Sequence, residues 1–235
     1  MAAAGKGKRR VSASDLGRYG SVAAGSVDVD RAAKGLKVSK TQVRQALSAA
    51  KSEQASVMFR AVSGRESADL GAAASMRGLL QAAYGPGPRG GAVDARAAAK
   101  DLGVSVSTIR RWAAGTQNPS ADHQSAVRSK ARKASRTKDG RRSATRDFRN
   151  SDRGRAALRR GSKLTISGDQ GPQDYPRDRS ITLDVSADDM EAMLAAYEDG
   201  GDAGLHDWMN AYVDANYLAD WEFLTIDELG IGGPE

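Results

Sequence analysis

The segment ARAAAKDLGVSVSTIRRWAA, residues 95–114, predicts two short helices joined by a turn at Gly103. Glycine suits such a turn because a left-handed backbone costs it little free energy. Ser105 can cap the second helix by accepting a hydrogen bond from an early backbone amide. Ala99 is small enough for the point where the helices cross, and the apolar residues at helix-packing spacing are Leu102, Val104, Ile109 and Trp112. This pattern is typical of a helix-turn-helix.

The outer face of the second helix follows from its inner face. Once Ile109 and Trp112 point inward, the helical period places a polar and basic set of side chains on the opposite side. This set is Ser105, Val106, Ser107, Arg110 and Arg111. Side chains at these positions of a helix-turn-helix enter a DNA groove, so we expect DNA binding here. The alternative is an alanine-rich helix pair that serves only for packing.

An internal repeat lies 66 residues upstream of this unit. Residues 27–44, VDVDRAAKGLKVSKTQVR, match residues 93–110 at nine of eighteen positions, which predicts a second helix-turn-helix. Lys37 replaces the turn glycine and Ala46 replaces the tryptophan, so the turn is less favourable and the core thinner. The outward residues of this copy are Ser39, Lys40, Thr41, Arg44 and Gln45. Two basic outer faces favour a protein that spans two stretches of duplex, and the alternative is a duplicated packing unit.

The charge of the chain changes sign after Arg160. Residues 1–160 carry 33 Lys and Arg against 12 Asp and Glu, a net charge of +21, whereas residues 161–235 carry 3 against 17, a net charge of −14. The first part attracts phosphate, and the second repels DNA and is expected to meet protein. Residues 128–160 hold 14 basic and 3 acidic residues and are expected to follow the DNA backbone. The residues chosen for this contact are Arg132, Lys133, Arg141 and Arg142.

The last 75 residues have a different pattern. Lys163–Ser167 and Ser180–Ser186 alternate as strands, two helices follow from Ser186 and from Leu205, and Trp221–Ile226 closes as a strand. We therefore predict an α+β multidomain chain with two N-terminal all-α helix-turn-helix units, a basic linker and a small C-terminal ββααβ domain. The predicted parts are a disordered basic arm (1–18), a helical region with the first unit (19–84), a linker (85–91), a helix-turn-helix DNA-binding domain (92–135), a basic linker (136–162) and an acidic α+β domain (163–235).

Composition argues against several classes of function. The chain has no cysteine, and its two histidines, His123 and His206, are far apart in sequence, so we predict no metal site and no cofactor. No apolar run reaches the roughly 20 residues that a membrane helix needs, and we expect a cytoplasmic, nucleoid-associated protein without a membrane partner. A nuclease or recombinase would need a metal-binding carboxylate cluster or a phosphate-attacking residue among arginines. The basic half contains no such constellation, so we predict a protein that is not an enzyme.

From about Ala74 onward, the order of elements resembles the telomere terminal proteins (Tpg-like) of linear actinobacterial chromosomes and plasmids. The resemblance lies in Ser75-Met76-Arg77 at the start of a helix and in four later motifs: LGVSVSTIRRW (102–112), VRSKAR (127–132), SITLDV (180–185) and WEFLTIDEL (221–229). The first helix-turn-helix copy falls outside it.

This resemblance implies a protein that binds replicon-end DNA together with a telomere-binding partner protein and a DNA polymerase. It also implies priming, in which a Ser or Thr hydroxyl attacks the α-phosphate of the first nucleotide and stays joined to the 5′ end, with metal ions of the polymerase stabilising the charge. In such a protein the hydroxyl lies between the DNA-binding part and the C-terminal domain. We choose Thr165, then Ser162, ahead of Thr145 and Ser151. The alternative function is a helix-turn-helix regulator of transcription or plasmid maintenance, with the acidic domain forming a homodimer.

Overall fold

The computed structural model describes residues 11–172 and 175–232, which form ten helices and four strands. The helices are α1 (Ala13–Gly17), α2 (Val29–Leu36), α3 (Lys40–Ser63), α4 (Met76–Tyr84), α5 (Ala95–Leu102), α6 (Val106–Ala114), α7 (Ala121–Arg136), α8 (Lys138–Asn150), α9 (Asp152–Arg160) and α10 (Ala187–Asn216). The strands are β1 (Ser162–Pro172), β2 (Arg177–Val185), β3 (Trp221–Phe223) and β4 (Glu228–Ile231). The predicted α+β class is confirmed.

The repeat folds in the same way twice, as the helix pairs α2–α3 and α5–α6. The carboxylates of Asp28 and Asp94 cap the first helix of each pair, and each accepts hydrogen bonds from two backbone amides. The hydroxyls of Ser39 and Ser105 cap the second helix of each pair. Each cap satisfies amides that a helix cannot pair internally, so the identical residues of the repeat set identical helix starts.

The turn between the helices is left-handed in both pairs, although its residue differs. Lys37 has a φ of 57° and Gly103 a φ of 66°. The second helices differ in length, because α6 ends before the left-handed Gly115 whereas α3 runs on to Ser63. The first pair is therefore a longer version of the second.

Two buried clusters hold the chain together. The smaller cluster surrounds the first pair and includes Leu16, Ala32 and Val43. The larger cluster runs from Val57 in α3 to Ile231 in β4 and contains residues from both sides of each predicted linker. Because α3 contributes to both clusters, it joins the first pair to the rest of the molecule.

Two predictions about irregular segments need correction. Of the predicted disordered arm, residues 1–10 lie outside the described residues, and the rest includes α1, whose Leu16 is fully buried. The predicted basic linker, residues 136–162, contains α8 and α9, which begin at the capping hydroxyls of Thr137 and Ser151. Phe148 of α8 is fully buried in the larger cluster. The linker prediction was wrong because a few apolar residues at helical spacing are enough to give a helix a buried face when other elements cover them.

The C-terminal sheet is antiparallel, with β2 on one edge of β1. Both β3 and β4 pair with the other edge, β3 with residues 170–172 and β4 with residues 164–167. The order of elements is therefore ββααββ rather than the predicted ββααβ.

The predicted strand Trp221–Ile226 is interrupted for a reason that lies far away in the sequence. The amides of Leu224 and Thr225 both donate to the carbonyl of Asp169, over 2.8 and 3.1 Å. The carbonyl of Leu224 accepts a 2.8 Å hydrogen bond from the amide of Val22. Because two amides share one carbonyl of β1 here, the one-to-one pairing is lost as in a β-bulge, and it resumes as β4.

The two predicted C-terminal helices are both present as the two arms of α10, which Gly201 separates. This residue has a φ of 65° and a ψ of −145°, outside the helical region. The buried side chains on the two arms are Met190, Met193, Leu194, Tyr197, Leu205, His206, Met209 and Val213. None of the described helices is long and apolar enough to cross a membrane.

Candidate nucleic-acid interface

One face of α6 is fixed by packing. Ile109 and Trp112 are fully or almost fully buried, and Ala99 of α5 lies in the same cluster. Leu102 and Val104 are half-buried at the edge of this cluster. The inward residues predicted from the sequence are therefore those that pack, and they set the orientation of the helix.

The opposite face of α6 carries the residues predicted for DNA contact. Its exposed members are Ser105, Ser107, Arg110 and Arg111, and Val106 is half-buried. Among the described residues, neither arginine has a carboxylate within ion-pair distance. Both guanidinium groups are therefore available to a phosphate or to a base edge.

A cleft of about 570 Å³ opens between α6 and the loop that precedes α5. Four arginines line it, namely Arg77, Arg89, Arg96 and Arg110, and Val106 and Ala113 contribute to its apolar wall. This cluster of arginines concentrates positive potential beside α6.

The equivalent face of the first pair has less free charge. Lys40 forms a 2.8 Å ion pair with Asp30, so this carboxylate compensates its charge. Thr41 and Arg44 are exposed. Of the three residues predicted to contact DNA here, Arg44 is the cation that has no ion pair among the described residues.

Arg141, which the sequence predicted for DNA contact, is buried, with 8% of its surface exposed. Its guanidinium donates to the backbone carbonyls of Glu198 and Asp199 over 2.9 Å and to the carbonyl of Arg136 over 2.7 Å. The first two carbonyls end the first arm of α10, just before the break at Gly201, and lack the next turn of helix as a partner. Arg141 therefore has a structural role, capping that arm.

The other basic residues predicted for DNA contact remain on the surface. Arg132 and Lys133 are exposed on α7. Arg142 is exposed on α8, where its guanidinium lies 3.8 Å from a carboxylate oxygen of Glu198. These three side chains can still meet phosphate.

The basic helix α8 and the acidic helix α10 contact each other, a contact that sequence reasoning missed. Arg149 lies 2.6 Å from a carboxylate oxygen of Glu191 and 2.5 Å from one of Glu198. Lys138 lies 2.6 Å from Asp199. The sequence predicted that the acidic half would meet protein, and these three acidic residues of α10 are partners of the basic half of the same chain. The opposite net charges of the two halves were the sequence signal from which this contact could have been inferred.

Glu198 is the centre of this contact. Burial alone would raise the pKa of its carboxyl group, but hydrogen bonds from Thr145 and Arg149 and the charges of Arg149 and Arg142 together lower it below its usual range. Glu198 therefore stays ionised while its side chain is only 15% exposed.

The two hydroxyls chosen as priming groups lie in β1. Ser162 is buried, and its hydroxyl donates to the carbonyl of Gly232. Thr165 is half-buried, with its Oγ1 3.1 Å from that of Thr182, and it pairs with Gly230 on the other edge of the strand. The more accessible of the two is Thr165. Across residues 11–172 and 175–232, no three His, Asp or Glu side chains are grouped so that they could hold a metal ion.

Comparisons of the chain with protein-family models, with curated proteins and with solved structures found no match.

Proposed function

We propose that this chain binds DNA, with α5–α6 as a helix-turn-helix whose second helix enters the major groove. The supporting observation is that Arg110 and Arg111 are exposed, without an ion pair among the described residues, on a helix whose other face is fixed by Ile109 and Trp112. A guanidinium held at a fixed angle can donate two hydrogen bonds to the O6 and N7 of one guanine.

The first turn of α6 supports the same assignment. In a helix-turn-helix, residues at the N-terminal end of the second helix contact the base edges. Ser105 and Ser107 occupy this end and are exposed. Their hydroxyls suit a phosphate or a base edge, and the positive end of the helix dipole favours phosphate.

The finer proposal is that the DNA is the end of a linear replicon and that the chain primes its replication. It rests on the resemblance to telomere terminal proteins. In the priming step, the Oγ1 of Thr165 forms an ester bond to the α-phosphorus of the first nucleotide, pyrophosphate leaves, and the hydroxyl proton passes to a base or to water in the polymerase site. The 3′-OH of the bound nucleotide then attacks the α-phosphorus of the next nucleotide, and pyrophosphate leaves again.

The second candidate function is a regulator that binds an internal operator. One observation favours it: Thr165 lies in a strand that is paired on both edges, so a polymerase would have to reach the hydroxyl over the face of the sheet.

Mass spectrometry of the protein purified from its native host and exhaustively digested with nuclease separates these two functions. A nucleotide adduct on Thr165 supports priming, and we expect Thr165→Ser to keep the adduct and Thr165→Val to lose it. An unmodified peptide map that covers residues 140–170 completely overturns the priming proposal and leaves the regulator. In either case, selection from a pool of random duplexes should enrich a common sequence if α6 reads bases.

A further inference from the structure

A second cleft, of about 740 Å³, lies between α3 and α7. Arg44 and Lys51 line it from α3, and Arg128, Arg132 and Arg136 line it from α7. None of these five side chains has a carboxylate within ion-pair distance in the part of the chain that the structure describes. Asp202 is the acidic residue on the lining. The cleft therefore carries an uncompensated positive charge.

Small side chains keep the cleft open. Between the basic residues, α3 presents Ser48, Ser52 and Ala55, and α7 presents Ala131 and Ser135. On each helix these residues follow the spacing of three or four that defines one face. The two facing helices leave a trough instead of a packed interface, with cations along its sides, and Leu47, Leu70 and Leu79 also belong to its lining.

We propose that this cleft holds the phosphate backbone of a single nucleic-acid strand. The assignment rests on the proposed function for the class of ligand, but it concerns a site separate from α6. Arginine binds phosphate oxygens through its planar fork of donors. The hydroxyls of Ser52 and Ser135 donate to the backbone carbonyls of Ser48 and Arg132, so the arginines and Lys51 are the donors for phosphate. The volume lies within the range of about 300–1,000 Å³ typical of sites for small molecules, which suits a few nucleotides of one strand and not a duplex.

The lining also indicates how the strand is recognised. Proteins that bind single strands combine a basic groove with aromatic side chains that stack on bases. No aromatic side chain is among the described residues that line this cleft. Binding should therefore depend on phosphate charge rather than on base identity.

The cleft explains why the two helix pairs differ. Arg44 of α3 is the repeat equivalent of Arg110 of α6. Beyond this residue, α6 stops at Ala114, whereas α3 continues and forms one wall of the cleft with Lys51. The extension of the first copy is the part that builds the second binding site.

The test measures the fluorescence anisotropy of a labelled 20-nucleotide oligothymidylate at several salt concentrations, with the full chain. The cleft variant is Lys51→Gln with Arg132→Gln. Lys34→Gln with Arg159→Gln is the matched control, because it removes two exposed basic side chains that do not line the cleft. Each lost phosphate contact lowers the slope of log K against log salt by about 0.7 for a single strand. We expect a loss of about 1.4 for the cleft variant and an unchanged slope for the control.

A slope equal to that of the wild type in the cleft variant would overturn the proposal, as would an equal loss in the control. A labelled duplex is measured in parallel, with Arg110→Ala/Arg111→Ala as a third variant. If the cleft proposal alone is wrong, duplex binding still depends on Arg110 and Arg111. If the proposed function is wrong, these two substitutions leave duplex binding unchanged. Equal weakening of single-strand and duplex binding by the cleft variant would show a general backbone contact and reject a single-strand site.

Discussion

Lys37 and Gly103 occupy equivalent positions in the two helix pairs, and both have a left-handed backbone. For a residue with a side chain this conformation costs about 1–2 kcal/mol. Part of that difference is offset because glycine loses more backbone freedom on folding, about 0.5–1 kcal/mol. The repeat therefore contains one favourable and one unfavourable version of the same turn.

Exchanging the two residues should move stability in opposite directions. We expect Gly103→Lys to lower the free energy of unfolding by about 1 kcal/mol and Lys37→Gly to raise it by up to about 1 kcal/mol. No atom lies within 4 Å of a Cβ added at Gly103, so the effect comes from the backbone alone. Urea denaturation measures both changes, and an unchanged midpoint for Gly103→Lys would contradict the assignment of the turn.

Glu198 gives the chain a pH dependence whose sign can be stated. Its pKa is lowered in the folded state, so its contribution to stability is complete above the ordinary value of 4.5 and is lost as the pH falls through the lower folded value. Glu198→Gln should lower the free energy of unfolding by about 2 kcal/mol at pH 7, because Arg149 loses a charged partner. Denaturation at pH 7 and below pH 4 should show this difference shrinking in acid. A difference that is the same at both pH values would contradict the proposed role.

At the scale of elements, the junction between α8 and the broken helix α10 depends on Arg141. Arg141→Ala leaves three backbone carbonyls without their donor, and we expect it to lower the free energy of unfolding by about 3 kcal/mol. Arg142→Ala is the matched control on the same helix, since an exposed side chain usually changes stability by less than about 0.5 kcal/mol. Thermal melts compare the two variants. Equal melting temperatures would mean that Arg141 does not hold this junction.

Elements whose limits are set locally could be predicted from the sequence. The caps Asp94 and Ser105 and the turn at Gly103 lie within a few residues of the helices that they bound, so α5 and α6 were found with their inward residues. The elements that were missed depend on distant contacts. Packing against other elements turns the basic segment into α8 and α9. The last predicted strand is interrupted where the amides of Leu224 and Thr225 share the carbonyl of Asp169. The Arg141 cap likewise depends on a break in α10 that lies 60 residues away in sequence, at Gly201.

At the scale of the whole molecule, the basic and acidic halves form one structure. The larger buried cluster contains Phe148 of α8, Leu164 of β1 and Met193 of α10. From the sequence, the acidic half was expected to bind other proteins. In the structure it also forms ion pairs with α8 of the same chain.

Removal of residues 161–235 should therefore unfold more than the removed part. The truncation uncovers apolar residues of α3 and α8, including Val57 and Phe148, which are buried in the intact chain. We expect the truncated chain to lose its cooperative thermal transition in far-UV circular dichroism. A truncated chain that melts cooperatively, with the helical signal of residues 11–160 retained, would show that the helical half folds alone.

The central claim is that α6 reads DNA, and the most direct test is equilibrium binding to the duplex that random-pool selection enriches. Arg110→Ala/Arg111→Ala is compared with Arg159→Ala/Arg160→Ala, which removes the same charge from the exposed end of α9. We predict that each substitution in α6 weakens binding to the selected duplex by about 1–3 kcal/mol, about 5- to 150-fold, while the α9 pair changes it little. An isotherm on the selected duplex that is unchanged by the α6 pair, or an equal loss in the α9 pair, would contradict the claim.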